Sequence, residues 1–324
     1  MERNKLALLF ILIFTVLSTI IGLFNITIQS SAGKSSTKLS HSKKILKEGD
    51  ASALLLKIEG EIHSGKSTYS STGADTVLAR LREIEDRQDI KGILIEVNSP
   101  GGTVAASQEI YEELMLLRKT KKIVVSMKDL AASGGYYIAA AADYIFAESG
   151  TITGSIGVIT MTPDISGLLD KYNVKMNVYK QGKYKDILSM YKAPSEEEEE
   201  IIQNMLKDTY TRFISDVSRG RNIPKADVEK SAEGKIFSGE AALKNHLVDA
   251  IGGRREARAK LSELAGSDGL LHLIEDEDSP LDKFLEIFST KMSTAFQSGH
   301  SAVWNELLRS PVLVLFPAGI RTFK

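Results

Sequence analysis

Cysteine is absent from the 324-residue chain, and with it go disulfides, thiolate metal sites and a thiol nucleophile. Histidine is nearly as scarce. The five, His41, His63, His246, His272 and His300, form no His-x-x-x-His pair of the kind that holds zinc on a helix. His41 and His300 fall in terminal segments, His63 in a Gly/Ser loop, His246 in a helical stretch and His272 in an apolar run. None recommends itself as a general base. An excess of charge is missing too: 41 Lys+Arg stand against 42 Asp+Glu, a net charge of -1, which leaves no basic surplus for a nucleic-acid backbone. No metal, cofactor or nucleic-acid partner is expected. The lack of thiols suits a domain working outside the cytoplasm, where free thiols are open to oxidation.

What remains is an ordinary globular composition, hydrophobic 43% and charged 26%, of a length for one or two domains and without internal repeats. The N-terminus departs from it. Arg3 and Lys5 precede an uncharged apolar run, Leu6–Phe24. As a helix at ~1.5 Å per residue this run is about 28 Å long, close to the hydrocarbon thickness of a bilayer. A cleaved signal peptide is the competing reading, because Ser30-Ser31-Ala32 would serve as a small-residue cleavage site. The run is long for that purpose, and a retained signal-anchor is preferred. Lys34, Lys38, Lys43 and Lys44 after the span favour a cytoplasmic C-terminal side, whereas a short basic tail before the apolar run favours the reverse. The orientation adopted, in part on the resemblance given below, has the N-terminus inside and the domain after the linker outside. Four divisions follow: an anchor over 1–28, a Ser/Lys-rich linker over 29–50, a catalytic domain over 51–265, and a helical extension with tail over 266–324.

Beyond the linker, apolar runs at 53–58, 92–97, 122–127 and 144–147 read as buried strands. Between them, Thr76–Arg87, Val104–Arg118 and the small-residue stretch from Ser133 to Ala142 read as helices. Asn98-Ser99-Pro100-Gly101-Gly102 looks like the turn that ends the second strand. Strands alternating with helices give an α/β fold of repeated βαβ units around a mostly parallel sheet. A long helix is expected over 195–219, opened by a Ser195/Glu198 capping box, with Glu196–Glu200 as its solvated acidic start. Shorter helices are expected over 224–233, 239–246, 253–265 and 280–297, and a strand near 270–274.

Three segments could carry chemistry. Pro100-Gly101-Gly102 lies at the carboxyl end of a strand, where open α/β sheets collect their sites and where paired glycines let amides approach a ligand. Ser133 lies between a strand and a helix in Ala131-Ala132-Ser133-Gly134-Gly135-Tyr136-Tyr137. There it could be a plain N-cap or a nucleophile facing free helix amides. Gly182-Lys183-Tyr184-Lys185-Asp186 supplies lysines, which can act as bases when neutral but are far more often surface charges.

Taken in order with Thr153-Gly154-Ser155-Ile156-Gly157-Val158, Lys235-Ile236-Phe237-Ser238-Gly239 and Leu247-Val248-Asp249-Ala250-Ile251-Gly252-Gly253, these motifs resemble the signal peptide peptidase A family in its short, single-repeat form. The resemblance runs over about residues 50–265. It implies a ClpP/crotonase-like fold and a Ser–Lys dyad, with Ser133 as nucleophile and Lys185 as base. It also implies Ser155 as the group orienting the lysine, and the amides of Gly102 and Gly134 as an oxyanion hole. The implied function is a membrane serine endopeptidase that degrades cleaved signal peptides and similar apolar peptides. The implied assembly is a homo-oligomer, octameric in the short form, with a substrate groove built from neighbouring subunits. An NfeD-linked protease of the same superfamily, a crotonase-like acyl-CoA enzyme and a catalytically dead scaffold are the rivals. The apolar tail Ser310–Pro317 is too short to span a bilayer. It reads either as a packing strand or as a segment that enters an active site and is trimmed.

Overall fold

The structure is a computed structural model in which residues 52–68, 70–275 and 313–315 are described. The expected anchor and linker, and the expected helix over 280–297, lie outside the described residues. No helix among the described residues is long and apolar enough to cross a membrane.

Strict alternation of side chains along three long strands builds two layers of core. In β1 (Ser52–His63), Leu54, Leu56 and Ile58 enter one cluster and Ala53 and Leu55 the other. β3 (Ile90–Thr103) and β4 (Lys122–Ala132) repeat the pattern: Ile93, Ile95, Ile123 and Val125 lie on the first face, Leu94 and Val124 on the second. Successive strand residues point to opposite faces, so a run apolar at every position must be covered on both. The first face is covered by α1 (Ala74–Glu83), α2 (Val104–Leu117), α3 (Gly134–Ala139) and the C-terminal half of the long helix α5 (Glu196–Arg221). The second takes Ala257 and Leu261 of α8 (Arg254–Leu264).

The sheet runs β2-β1-β3-β4-β5-β8, where β2 is Ser71–Gly73, β5 Tyr144–Ala147 and β8 Ala250–Ile251. All of these pairings are parallel, as the βαβ reading requires. β9 (His272–Ile274) pairs with the start of β1. Short elements complete the chain: β6 (Ile152–Gly154), α4 (Ser166–Lys171), α6 (Lys225–Lys230), β7 (Ile236–Ser238) and α7 (Gly239–Lys244).

One expectation is corrected. The strand through 92–97 does not stop at Asn98 but continues to Thr103. Gly101 takes φ 104°, and this lets the backbone turn and resume its ladder with β1 at Glu61↔Gly101 and Ile62↔Gly102. β4 meanwhile leaves β3 after Ser99↔Ala131 and pairs instead with β6 at Ala132↔Gly154. The edge of β3 that β4 abandons is taken up by β10 (Leu313–Leu315), antiparallel, with Val314 opposite Gly102. Leu313–Leu315 of the tail form a strand along the stretch of β3 where the sheet has split.

Candidate active site

Ser133 occupies the joint between β4 and α3 in a conformation that serine rarely adopts, φ 55° and ψ -117°. Such a residue costs on the order of 1–3 kcal/mol of strain and persists only where its surroundings enforce it. Here the enforcement is double: Ser133 N–H donates to the Gly154 carbonyl at 2.9 Å, and its own carbonyl accepts from Tyr137 N–H at 2.8 Å. Its hydroxyl makes no cap hydrogen bond to the helix, so the plain N-cap explanation fails. The residue is buried, at 1% exposure.

Two glycine amides converge on this joint. A Cβ on Gly134 would lie 3.1 Å from the Gly102 nitrogen and 2.4 Å from Ser107 Oγ, so the close approach of the two backbones depends on Gly134 having no side chain. Gly102 is equally confined, since a Cβ there would sit 1.8 Å from the Ile62 carbonyl oxygen. Gly134 opens a helix and has no intrahelical acceptor for its N–H. Gly102 and Gly134, the pair that the resemblance implies as an oxyanion hole, therefore lie against each other beside Ser133.

Ser155 belongs to the same neighbourhood, because Gly154, the acceptor of the Ser133 amide, precedes it directly. Ser155 also has positive φ, 52°, and is 6% exposed. Its N–H is held by the Lys235 carbonyl at 2.7 Å. Ser133, Ser155, Gly102 and Gly134 are thus gathered at the split end of the sheet.

Lys185 is not gathered there. It is exposed, and among the described residues it makes neither an ion pair nor a side-chain hydrogen bond with Ser133. Its neighbours are all engaged. Lys183 pairs with Glu197, and Tyr184 Oη donates to the same carboxylate at 3.0 Å. Lys192 pairs with Glu198, and Lys180 with Asp186. Glu197 holds the Lys183 amine above the ordinary lysine value. Of the two lysines in the motif, Lys183 is held by an ion pair, and Lys185 makes none among the described residues.

α5 connects the two halves. Its start clips the lysine segment through Glu197 and Glu198, as described. Near its end, Asp216 clips α3: Tyr137 Oη donates to Asp216 Oδ2 at 2.5 Å, Arg212 Nε donates to the same oxygen at 2.7 Å, and Arg219 pairs with the other at 3.0 Å. Burial raises the Tyr137 hydroxyl far above its ordinary value, so it stays a donor. Tyr137 also stacks on Phe213, with ring centroids 4.3 Å apart. At ~1.5 Å per residue, about 28 Å of helix separates Glu197 from Asp216, more than the four-carbon stem of a lysine spans.

The acidic start of α5, expected to be solvated, is therefore partly engaged, although the Ser195/Glu198 capping box is as expected. The Asp216 clip went unseen in the sequence. Its signal was an acid inside the apolar stripe Phe213-Ile214-Val217, a position that demands a partner.

Comparison with known proteins gives the family. A model of peptidase family S49 matches residues 115–268, and a Clp protease model matches residues 50–149. A Synechocystis sp. protein named as a protease is 41% identical over 213 residues, which cover 66% of this chain and 74% of the relative. A Methanocaldococcus jannaschii protein, also named as a protease, is 35% identical, with 81% and 83% covered. The chain belongs to peptidase family S49. It is a serine protease with a mixed α/β, Clp protease-like fold. Another S49 relative, from Enterococcus faecium and bearing the name signal peptide peptidase SppA, is 40% identical over 68% of this chain and 66% of its own length. Protease 4 of Haemophilus influenzae is 38% identical over 65% of this chain, but the chain spans only 34% of that protein.

Proposed function

We propose that this S49 peptidase is a membrane-anchored endopeptidase that degrades cleaved signal peptides and similar short apolar peptides, and that each active site is shared between two copies of the chain. Ser133 is the nucleophile, Lys185 the general base, Ser155 the hydroxyl that orients the lysine amine, and Gly102 and Gly134 the oxyanion donors. What supports the sharing is that Ser133 is strained and buried while Lys185 is exposed and makes no hydrogen bond to it, their segments being clipped to opposite ends of α5.

The lysine segment bears the marks of a docking surface. Met161, Leu168, Tyr172, Val174, Met176 and Tyr179 are all large, apolar or aromatic, and exposed, Tyr179 at 95%. Scattered apolar residues are normal on a surface, but a concentration in one segment calls for a partner. A second copy of this chain covers it and receives Lys185 beside its own Ser133. A peptide substrate lies extended along the edge of β3 at Gly101–Thr103, the edge on which β10 already pairs, in the manner of strand addition. The apolar run Leu6–Phe24 holds this site beside the bilayer, where apolar remnants of secretion remain; the name of the Enterococcus faecium relative supports the same substrate class.

In the reaction, neutral Lys185 of one copy takes the Ser133 proton of another as the hydroxyl attacks the peptide carbonyl. The amides of Gly102 and Gly134 hold the oxyanion, the lysine protonates the leaving amine, and water then releases the acyl group.

The decisive experiment mixes two inactive proteins, Ser133→Ala and Lys185→Ala, after dissociation and reassembly. Random pairing of copies around a ring restores roughly a quarter of the wild-type rate on an apolar peptide. A mixture as inactive as its components would sink the shared site.

A further inference from the structure

Beyond the residues that touch the reaction, the structure assigns to Ser99 the role of positioning residue for the oxyanion hole. It does so through two hydrogen bonds made by one hydroxyl. Ser99 Oγ donates to the Gly60 carbonyl at 2.6 Å and accepts from Gly101 N–H at 3.1 Å, and Ser99 is fully buried, at 0% exposure.

The need for both bonds arises from the path of the backbone. β1 and β3 pair in register up to Glu59↔Asn98, slip at Gly60, and resume at Glu61↔Gly101. Gly60 has φ 66° and no partner in the β3 ladder, so its carbonyl faces the bulge in a half-buried position. A buried carbonyl without a donor costs free energy comparable to a lost hydrogen bond. On β3 the residue after Ser99 is Pro100, which has no N–H to offer. The Ser99 hydroxyl supplies the missing donor to β1 and, with its lone pair, the missing acceptor for Gly101.

The consequence reaches Gly102. Its N–H belongs to the planar peptide unit that Gly101 begins, so the aim of that N–H is set by the φ and ψ of Gly101. Gly101 is a glycine at φ 104°, the residue type with the least intrinsic preference for any one conformation. Nothing in its own chemistry holds it there; beside its ladder positions opposite Glu61 and Leu315, the Ser99 hydroxyl is, among the described residues, the one side chain that bonds its N–H. On its other side Ser99 pairs with Ala131 of β4, and its carbonyl lies 2.9 Å from where a Cβ of Gly135 would stand. One residue therefore ties the Gly102 strand to the loop and helix that carry Ser133 and Gly134.

This inference rests on Gly102 as an oxyanion donor, and the test separates the two claims. In the full-chain protein, Ser99→Ala should lower kcat by ~10–100-fold with KM changed less than about 2-fold, because a misaimed donor is felt in the transition state and not in ground-state binding. Affinity for a peptide aldehyde, whose adduct with Ser133 carries an oxyanion, should fall by the same factor, while affinity for an uncleavable peptide of the same sequence should hold. Ser99→Thr, which keeps the hydroxyl, should recover most of both. If Ser99→Ala does not fold, Ser99→Cys carries the same measurements with a weaker donor and acceptor. Equal losses in the Ala and Thr variants, or a loss confined to KM, would overturn the role of Ser99. A wild-type protein that binds the aldehyde no better than the uncleavable peptide would instead overturn the oxyanion hole itself.

Discussion

The two ends of α5 are built on opposite plans. Around Asp216 the side chains are buried and aromatic, and the backbone nearby is forced into strain: Tyr111, Tyr137 and Phe213 are at most 1% exposed, and Ser133 and Ser155 both sit at positive φ. Around Glu197 the lysine segment is held by ion pairs at the surface, and its apolar side chains face outward. Surface pairs of this kind contribute little to stability, whereas a buried, hydrogen-bonded carboxylate is costly to break. One end is finished within the chain. The other is prepared for something that the chain does not itself supply. On the shared-site function proposed above, the half with Ser133 would owe its precision to the fold and the half with Lys185 to docking.

The largest effect that tests this contrast comes from the two motif lysines. Lys185→Ala should abolish turnover of an apolar peptide. Lys183→Ala should leave kcat/KM within a few-fold of wild type, since it removes one exposed ion pair worth ~0.2–1 kcal/mol. The reverse result would reassign the base. Next comes Gly134→Ala, whose methyl would crowd Ser107 Oγ and the Gly102 nitrogen. It should cost ~10²–10³-fold in kcat by closing the oxyanion hole, and steady-state kinetics with a fluorogenic peptide would read it. A smaller and purely associative effect is expected from Met176→Glu. The side chain is 53% exposed, so the melting temperature of the chain should barely move. The assembly seen by light scattering should weaken, and specific activity should become dependent on protein concentration. Normal assembly in that variant would break the docking side of the contrast.

The smallest effect is electrostatic. Lys180 holds the Asp186 carboxyl, and Lys192 the Glu198 carboxyl, below the ordinary carboxylate range. Groups depressed in this way contribute stability above their unfolded values, ~4 for carboxylates, and lose it as pH falls through their folded values. Amide exchange in 180–192 should therefore accelerate at acid pH before exchange around Ser133 does. Simultaneous loosening of both regions would mean that the lysine segment is not separately held.

The sequence showed the finished half more clearly than the prepared one, and for a physical reason. Buried strands such as Ile93-Leu94-Ile95 announce themselves as continuous apolar runs, and Ala132-Ser133-Gly134-Gly135 carries its small residues because two backbones must touch. β6, β7 and β8 have three residues or fewer, too short for any periodicity. The stop read at Asn98 failed because Pro-Gly-Gly signals a turn whether the strand ends or only kinks, and the bulge at Gly60 that accommodates the kink lies far away in sequence. The ion pairs of Lys183 and Lys192 were hidden for a similar reason. An acidic helix start and a basic loop look equally like solvated charge until folding lays one on the other.

α5 also acts as a gauge. Its two clips fix not only how far the lysine segment lies from α3 but also at what angle around the axis it projects. One residue added between Glu198 and Arg212 would push the far end out by ~1.5 Å and swing it by about 100°, turning Glu197 away from Lys183 while every residue near Ser133 stayed in place. Substitutions along the exposed middle of the helix are mild by comparison. The length of this helix is therefore a more exacting requirement than its composition, and a change in residue count there would spoil the site without altering any residue that performs the chemistry.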